Sequence, residues 1–495
     1  MHDDLPLSLY SAAQVRALDA RLIASGTPGF ELMHRAARAA WRALRQRWPD
    51  AGAITVFAGG GNNGGDGYLI AALAQRAGWP VRVYHLNDPA TLKGDAAHAY
   101  AEATGCGARS EAWKSGAELS GVIVDALLGT GFSGSVRDAY AEAIKQINAS
   151  PLPVLAVDVP SGLNADTGAV TSIAVQANLT VTFIGVKLGL LTGEGPDHCG
   201  ELEFAALVEE PQNPADALAQ RLSPRNLPRL PPRKRSAHKG NFGHVLVMGG
   251  NEGTGGAAMM TSEAALRCGA GMVSLATRPS NVAAALARRP EIMVAGVESS
   301  SRVISLVEKA DVLAVGPGLG QGAWSRSLLS VAASRDIPQV WDADALNLLA
   351  GQAVSTPKGP WIMTPHPGEA ARLLRSDTAT VQNLRPTAAR KLAERYGAVV
   401  LLKGLGTLIA APDGRMALCG RGHPAMATGG AGDVLTGIIA ALLAQHLPAF
   451  EAACLGAWLH GRAGELLGQH GRGLAASDFP DTVRQLLESY NPCLK

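Results

Sequence analysis

The residues best spaced for chemistry lie late in the chain. In ATGGAGDVLTGIIAALLA, residues 427–444, small residues lead into a long apolar segment, and Asp433 follows directly on the turn. Backbone N–H groups left bare where a helix begins form an anion hole. A carboxylate beside that hole is placed to take a hydroxyl proton while the N–H groups hold a transferring phosphoryl group. The plain alternative, an ordinary aspartate on a glycine-rich helix start, fits such a long glycine run poorly. LLKGLGT, residues 401–407, ends an apolar strand with Lys403 and two glycines. That pattern suits a nucleotide's phosphates or base edge, although strand-Lys-Gly turns also occur as simple punctuation. PQVWDADALNLL brings Asp342, Asp344 and Asn347 to another strand end, and WIMTPHPGEAARLL brings Thr364, His366 and Glu369. His366 stands between two prolines that fix the backbone on either side.

The first half carries a second constellation. FAGGGNNGGDGYLIAALAQ, residues 57–75, runs from an apolar strand through glycines into an Ala/Leu helix. Gly59, Gly61 and Gly64 satisfy a dinucleotide-loop spacing, and Asp88 falls near the place of a ribose-binding acid. Yet the loop adds Asn62, Asn63 and then Asp66 where the helix is expected to begin, and a carboxylate there would repel a phosphate. It therefore offers oxygens as well as N–H groups. VIVDALLGTGFSGS places Asp125 at a strand's carboxyl end before Gly129, Thr130, Gly131, Phe132 and Ser133, and VLAVDVPSGLNADTG places Asp158 and Ser161 likewise. Carboxyl ends of parallel strands line one crevice, so Asn63, Asp125 and Ser161 could cage a hard monovalent or divalent cation through oxygen. Capping of turns and helices is the commoner fate of any one such residue, but three clusters in one crevice weigh against it.

Positioning these groups needs strands and helices in alternation, and the chain has them. Apolar runs at 54–58, 81–85, 122–128, 154–160 and 179–185, then 244–250, 273–277, 311–318, 338–344, 361–369 and 398–404, alternate with Ala-rich amphipathic segments. That is the pattern of parallel strands covered on both faces by helices. With 495 residues, two large domains are expected. Six prolines and a closing basic run in residues 211–236 read as an extended connector. The expected division is 1–212, a linker over 213–235, and 236–495.

Composition narrows the function further. Hydrophobic residues make up 47% and charged ones 17%, as in a globular protein, and a net charge of +2 gives no footprint for nucleic acid. No apolar run approaches the ~20 residues that span a bilayer. Six scattered cysteines without CxxC spacing, and an acidic start lacking a signal-peptide pattern, lead to the expectation of reduced thiols in a cytoplasmic protein with small-molecule partners.

GGNNGGDG, DALLGTGFSG and DVPSGLNADTG resemble the signature stretches of NAD(P)H-hydrate epimerase domains over about residues 10–210. KGNFGHVLVMGG, GPGLG, TPHPGEAARLL, KGLGT and GAGD resemble NAD(P)H-hydrate dehydratase domains, over about 230–490. The resemblance implies a three-layer Rossmann-like α/β domain followed by a ribokinase-like α/β domain, in a bifunctional isomerase and lyase. It implies that Asn62, Asn63, Gly64, Gly65 and Asp66, with Gly129, Thr130, Gly131, Phe132, Ser133, Gly134 and Ser135, hold the hydrated nucleotide. Potassium would sit on Asn63, Asp125 and Ser161. Asp158 would handle the proton near the reacting carbon, with Lys187 in FIGVKLG a second candidate against the alternative of a surface lysine. In the second half, Lys403, Gly404, Leu405, Gly406, Thr407 and Gly432 would hold ADP or ATP with Mg2+, while Ala257, Gly318, His366 and the base Asp433 would face the hydrate. The family also makes a homo-oligomer an expectation. Rival readings are a kinase of a vitamin-precursor alcohol, a non-catalytic binding module in the first half and, least supported, a plain NAD dehydrogenase.

Overall fold

The structure, a computed structural model, describes residues 4–208 and 217–494; the beginning of the proline-rich stretch lies outside the described residues. The chain divides into two compact units, Met1–Arg221 and Leu222–Lys495.

The first unit contains β1 (Ser8–Tyr10), β2 (Ile54–Ala58), β3 (Val81–His85), β4 (Arg109–Ala112), β5 (Val122–Ala126), β6 (Val154–Val157), β7 (Leu179–Phe183), β8 (Val186–Lys187), β9 (Glu201–Ala205) and β10 (Ala219–Arg221). Seven of these form one sheet in the order β4-β3-β2-β5-β6-β7-β9, parallel throughout. Alternation along a strand sends side chains to opposite faces. In β2, Ile54, Val56 and Ala58 join one apolar cluster, and Phe57 joins the cluster on the other face. Both faces are therefore buried, which gives the three-layer arrangement. β1 pairs antiparallel with β10 and parallel with β8. Ala219–Arg221, within the stretch expected as a connector, is thus a strand of the first unit.

In the second unit, β11 (His244–Met248), β12 (Met272–Thr277), β13 (Met293–Gly296), β14 (Val312–Val315), β15 (Gln339–Trp341), β16 (Trp361–Met363), β17 (Val399–Leu402), β18 (Thr407–Ala410) and β19 (Met416–Cys419) lie in the order β13-β12-β11-β14-β15-β16-β17-β18-β19. The strands up to β17 are parallel, and β17-β18-β19 continue antiparallel. The all-parallel expectation is corrected at that edge. Beneath the sheet the helix Ala431–Ala444 is buried along nearly its whole length. A helix that is apolar all round belongs in a core.

Both strand orders reverse once. In the first unit the chain winds from β2 to β3 and β4, then returns to β5 on the other side of β2; in the second it does the same at β11 and β14. The crevice outside the carboxyl ends at such a reversal is where open α/β sheets bind ligands. The loops after β2 and β5, and after β11 and β14, are the glycine-rich ones.

Candidate active sites

In the first unit, the loop after β2 turns into the helix Asn62–Arg76, whose N-cap Gly61 provides no side-chain cap. Its first amides are left without an intrahelical acceptor. Two glycines are required by contact. A Cβ on Gly59 would stand 1.9 Å from the Leu127 carbonyl oxygen, and one on Gly64 would stand 2.1 Å from that of Gly59. Gly64 and Gly65 are buried, packed against Gly59 and against Met33 and Ala96, and Gly134, in the left-handed region at φ 84°, turns its loop. The helix begins at Asn62, so Asp66 stands in its second turn and not at its start, another correction. Asp88 caps the single turn Pro89–Thr91.

A cleft of about 970 Å³ opens at the reversal. Asn62, Asn63, Asp66, Gly129, Thr130, Gly131, Phe132, Ser133, Ser135, Asp158 and Lys187 all line it. Asp158 follows β6 at φ 69°, a left-handed conformation that costs a residue with a Cβ and is tolerated at sites that over-determine it. Its Oδ1 accepts from Thr182 Oγ1 and the Phe183 N–H, both at 3.2 Å, and from Lys187 Nζ. Lys187 is no surface lysine. It is 1% exposed, and Nζ also donates to Thr182 Oγ1 at 3.1 Å and the Phe183 carbonyl at 3.0 Å. Asp66 lies nearby, its carboxyl held well above the usual range by burial first, then by the charges of Asp158 and Asp19.

Behind the cleft, Asp125 and Ser161 are fully buried. Ser161 Oγ donates to Asp125 Oδ1 at 2.6 Å, the Ser161 N–H donates to Oδ2 at 2.8 Å, and the Leu128 N–H donates to Ser161 Oγ at 2.8 Å. Asn63 Nδ2 donates to the Leu128 carbonyl at 3.1 Å. Asn63 and Ser161 therefore meet at Leu128, and Asp125 joins them through Ser161. Burial lifts the Asp125 carboxyl to about 6 against the lowering effect of the Ser161 and Leu127 hydrogen bonds. A single carboxylate among neutral oxygens suits a hard cation of low charge. Among the described residues no group of three or more His, Cys, Asp or Glu side chains could hold a metal.

In the second unit, Gly430 at φ 92° caps the helix Ala431–Ala444 without a side-chain hydrogen bond. Asp433 sits in its first turn, with the carboxyl raised to about 7 by burial first and by Asp342 next, partly offset by Lys403. Asp342, 2% exposed after β15, accepts from Lys403 Nζ at 2.9 Å through Oδ1 and from Thr436 Oγ1 at 3.0 Å through Oδ2. A Cβ on Gly432 would lie 3.3 Å from Lys403 Nζ, so the ammonium stands over the helix start. Burial opposes the charge on Lys403, but Asp342 and Glu369 overcome it and raise its pKa. The bare amides, the ammonium and a carboxyl poised near neutrality thus converge.

His366 has a structural part. It caps the helix Pro367–Leu374, with Nδ1 accepting the Gly368 N–H at 3.0 Å and its own N–H donating to Glu369 Oε2 at 2.8 Å. Burial, then Lys403 and Arg372, lower its pKa, so the neutral ring carries its proton on Nε2. Ala257 and Gly318 adjoin, a Cβ on Gly318 standing 3.2 Å from that of Ala257. Thr261 donates to the carbonyls of both Ala257 and Asp433 at 3.0 Å, linking that pair to the helix start. Asp344 accepts the Gly320 N–H at 2.8 Å, Asn347 accepts from Arg372 at 2.9 Å, and Thr364 donates to the Trp341 carbonyl at 3.4 Å. These three brace loops.

Sequence reasoning missed Asp19, Asp95, Asn87 and Tyr140 in the first cleft. They come from helices and loops whose local sequence carries no glycine signature, and only the fold brings them in.

Two α/β units, the first with a polar cleft at its strand reversal and the second with a ribokinase-like helix start facing Lys403 and Asp342, define an enzyme with two sites. Residues 29–189 match the family model described as YjeF-related protein N-terminus, and residues 245–484 match NAD(P)H-hydrate dehydratase. A bifunctional NAD(P)H-hydrate repair enzyme of Coxiella burnetii is 45% identical over 488 residues, 97% of this chain and 99% of the relative. Its counterpart in Escherichia coli is 42% identical over 466 residues, 92% and 89% respectively. A solved ribokinase-like superfamily protein from Enterococcus faecalis is 32% identical with a TM-score of 0.50, covering 53% of this chain and 92% of that one. The chain belongs to the bifunctional NAD(P)H-hydrate repair enzyme family.

Proposed function

We propose that this chain repairs hydrated NADH and NADPH, interconverting the R and S epimers in its first unit and dehydrating the S epimer in its second at the expense of ADP or ATP. The observation that carries the reading is that both polar constellations are complete in one chain that aligns nearly end to end with bifunctional relatives. A vitamin-alcohol kinase with a non-catalytic first half would need neither the buried Asp158–Lys187 pair nor the Asp125–Ser161 nest.

In the second unit, Asp433 takes the proton of the C6 hydroxyl, whose oxygen attacks the terminal phosphorus of the nucleotide as the bridging P–O bond breaks, releasing AMP from ADP or ADP from ATP. Amides at Ala431 and Gly432, with the Lys403 ammonium, stabilise the charge on the migrating group. The ring nitrogen then pushes out inorganic phosphate as the C6–O bond of the ester breaks, C5 gives a proton to water, and the dihydronicotinamide is restored. Lys403, Gly404, Leu405, Gly406, Thr407 and Gly432 hold the nucleotide; Mg2+ arriving with it would shield phosphate charge. Ala257, Gly318 and His366 orient the hydrate. In the first unit, Asn62, Asn63 and the 129–135 loop hold the hydrate over Asp158. Lys187 holds the Asp158 carboxylate in place to exchange a proton with the hydroxyl, and Asp66, whose carboxyl burial pushes well above its usual range, stands beside them as a second proton-handling group. Potassium would be held by Asn63, Asp125 and Ser161, where it supplies positive charge behind the loop that binds the substrate.

The test is to incubate the purified chain with ADP and epimeric NADH hydrate and follow NADH absorbance. Complete recovery from both epimers is expected. Accumulation of a stable phosphorylated alcohol would favour the kinase reading, and recovery of one epimer only would refute the epimerase.

A further inference from the structure

The loop after β17 is gripped from behind by one side chain. Arg385 opens the helix Arg385–Tyr396 and is 1% exposed. Its guanidinium donates to the carbonyl oxygens of Lys403 at 3.3 Å and of Leu402 and Gly406 at 3.4 Å, and to Gln382 Oε1 at 2.8 Å. One planar fork therefore spans the loop from its first to its last peptide. Gly404 completes the fit. It lies at φ 134°, and a Cβ there would stand 2.7 Å from Arg385 Nη1, so the guanidinium reaches the loop only because position 404 has no side chain.

Anchoring carbonyls has a consequence on the opposite side. In a trans peptide the C=O and the following N–H point in opposite directions. Tying the Lys403 carbonyl to Arg385 turns the Gly404 N–H away from the guanidinium. Leu405, at the tip of the loop, is 48% exposed, an apolar surface against which a flat base can lie. Arg385 itself is too buried to reach a ligand, and burial lowers its pKa only to about 10, so it stays charged at neutral pH.

We propose that Arg385 is the positioning residue of the nucleotide site: it sets affinity for the adenine nucleotide by fixing the backbone of Lys403–Thr407, and takes no part in phosphoryl transfer. This rests on the reading of that loop as the nucleotide's. The experiment compares wild type with Arg385→Met, Arg385→Lys and Gly404→Ala in the full chain. It measures KM for ADP and kcat of dehydration, the ADP-induced shift in melting temperature, and epimer interconversion as a control within the same chain. Arg385→Met should raise KM for ADP by about ten-fold or more, the loss of one or two hydrogen bonds' worth of organisation. Its kcat at saturating ADP and its pH profile should stay near wild type. Arg385→Lys, keeping the charge but not the fork, should recover part of the loss. Gly404→Ala should also raise KM for ADP, and a wild-type KM in Arg385→Lys, which keeps the charge but loses the fork, decides against the proposal if Arg385→Met does not fold. Wild-type KM in a folded Arg385→Met or in Gly404→Ala, or a fall in kcat alone, overturns the proposal. A wild type without any ADP-induced shift or ADP saturation overturns the nucleotide reading of the loop, and the proposal with it.

Discussion

Replacing Asp433 with asparagine should make the protein more stable and slow its dehydration, and the size of the first effect follows from the raised pKa of the carboxyl. The carboxyl is raised from 3.8 to about 7, chiefly because burial penalises the charged form, with Asp342, Asp344 and Glu369 adding repulsion and Lys403 offsetting part of it. Near pH 4 and below, the folded and unfolded chains both hold the proton, and the group costs nothing. As the pH rises from about 4 to about 7 the unfolded chain gives up its proton while the folded chain retains it, so stability falls; above about 7 the penalty is constant. Each unit is about 1.4 kcal/mol, which sets the penalty at no more than about 4 kcal/mol. Asparagine cannot ionise and escapes it. The variant should therefore gain about 2–4 kcal/mol near pH 8 and almost nothing near pH 4. Dehydration should meanwhile drop by about 10²–10⁴-fold, the usual worth of a general base. In the wild type, kcat/KM should climb about ten-fold per pH unit up to about 7 and then level off. Hydrogen exchange in the peptides of the helix Ala431–Ala444 reads the stability within the full chain. An asparagine variant less stable than wild type near pH 8, or a rate flat between about pH 6 and 8, would refute the argument that this base is tuned by burial.

Three further outcomes are expected in the first unit. Potassium should raise its melting temperature near pH 8, where the buried Asp125 carboxyl at about 6 is ionised, and have little effect near pH 4; Asp125→Asn should abolish the response, and a response that survives places the cation elsewhere. Lys187→Met should cost about 3–5 kcal/mol by leaving Asp158 buried without its cation, whereas Lys187→Met with Asp158→Asn should regain most of that stability but no epimer interconversion. Gly64→Ala, whose Cβ would meet the Gly59 carbonyl at 2.1 Å, should cost about 1–3 kcal/mol and abolish interconversion while dehydration continues; unchanged melting would mean that the helix can shift.

The interior of both sheets was legible in the sequence because strands buried on both faces must be continuously apolar. ITVFA and VRVYH match β2 and β3 residue for residue, and VIVDALL overruns β5 only at its end. Edges were not legible. β4 reads RSEA, with three polar or charged residues of four, as an edge facing solvent on one side requires. The hairpin β18–β19 was missed for a different reason: TLIA and MALC are short, and the turn between them, APDGR, carries the Asp-Gly signal that joins antiparallel strands. Ala219–Arg221 was hidden among prolines.

The site was legible where backbone geometry dictates sequence and opaque where charge does the work. Close approach leaves a signature, since Gly59, Gly64 and Gly404 each stand where a Cβ would collide, and these glycines marked the loops. Ionisation leaves none. Asp66, Asp125, Asp158 and Asp433 are the same letter, yet one is clamped to a buried ammonium, one is locked in a nest of N–H and hydroxyl donors, and two are pushed up towards neutrality. Those states are set by what the fold brings alongside: Lys187 from a two-residue strand for Asp158, and Asp342 and Lys403 from two separate strand ends for Asp433. A proton acceptor that works at neutral pH needs a pKa near that pH. Burial and the neighbouring acids bring the Asp433 carboxyl into that range, and Lys403 stands close enough to limit the shift. Neutralising Asp342 should therefore lower the Asp433 pKa and move the acid limb of the dehydration profile to lower pH, whereas removing the Lys403 charge should move it higher.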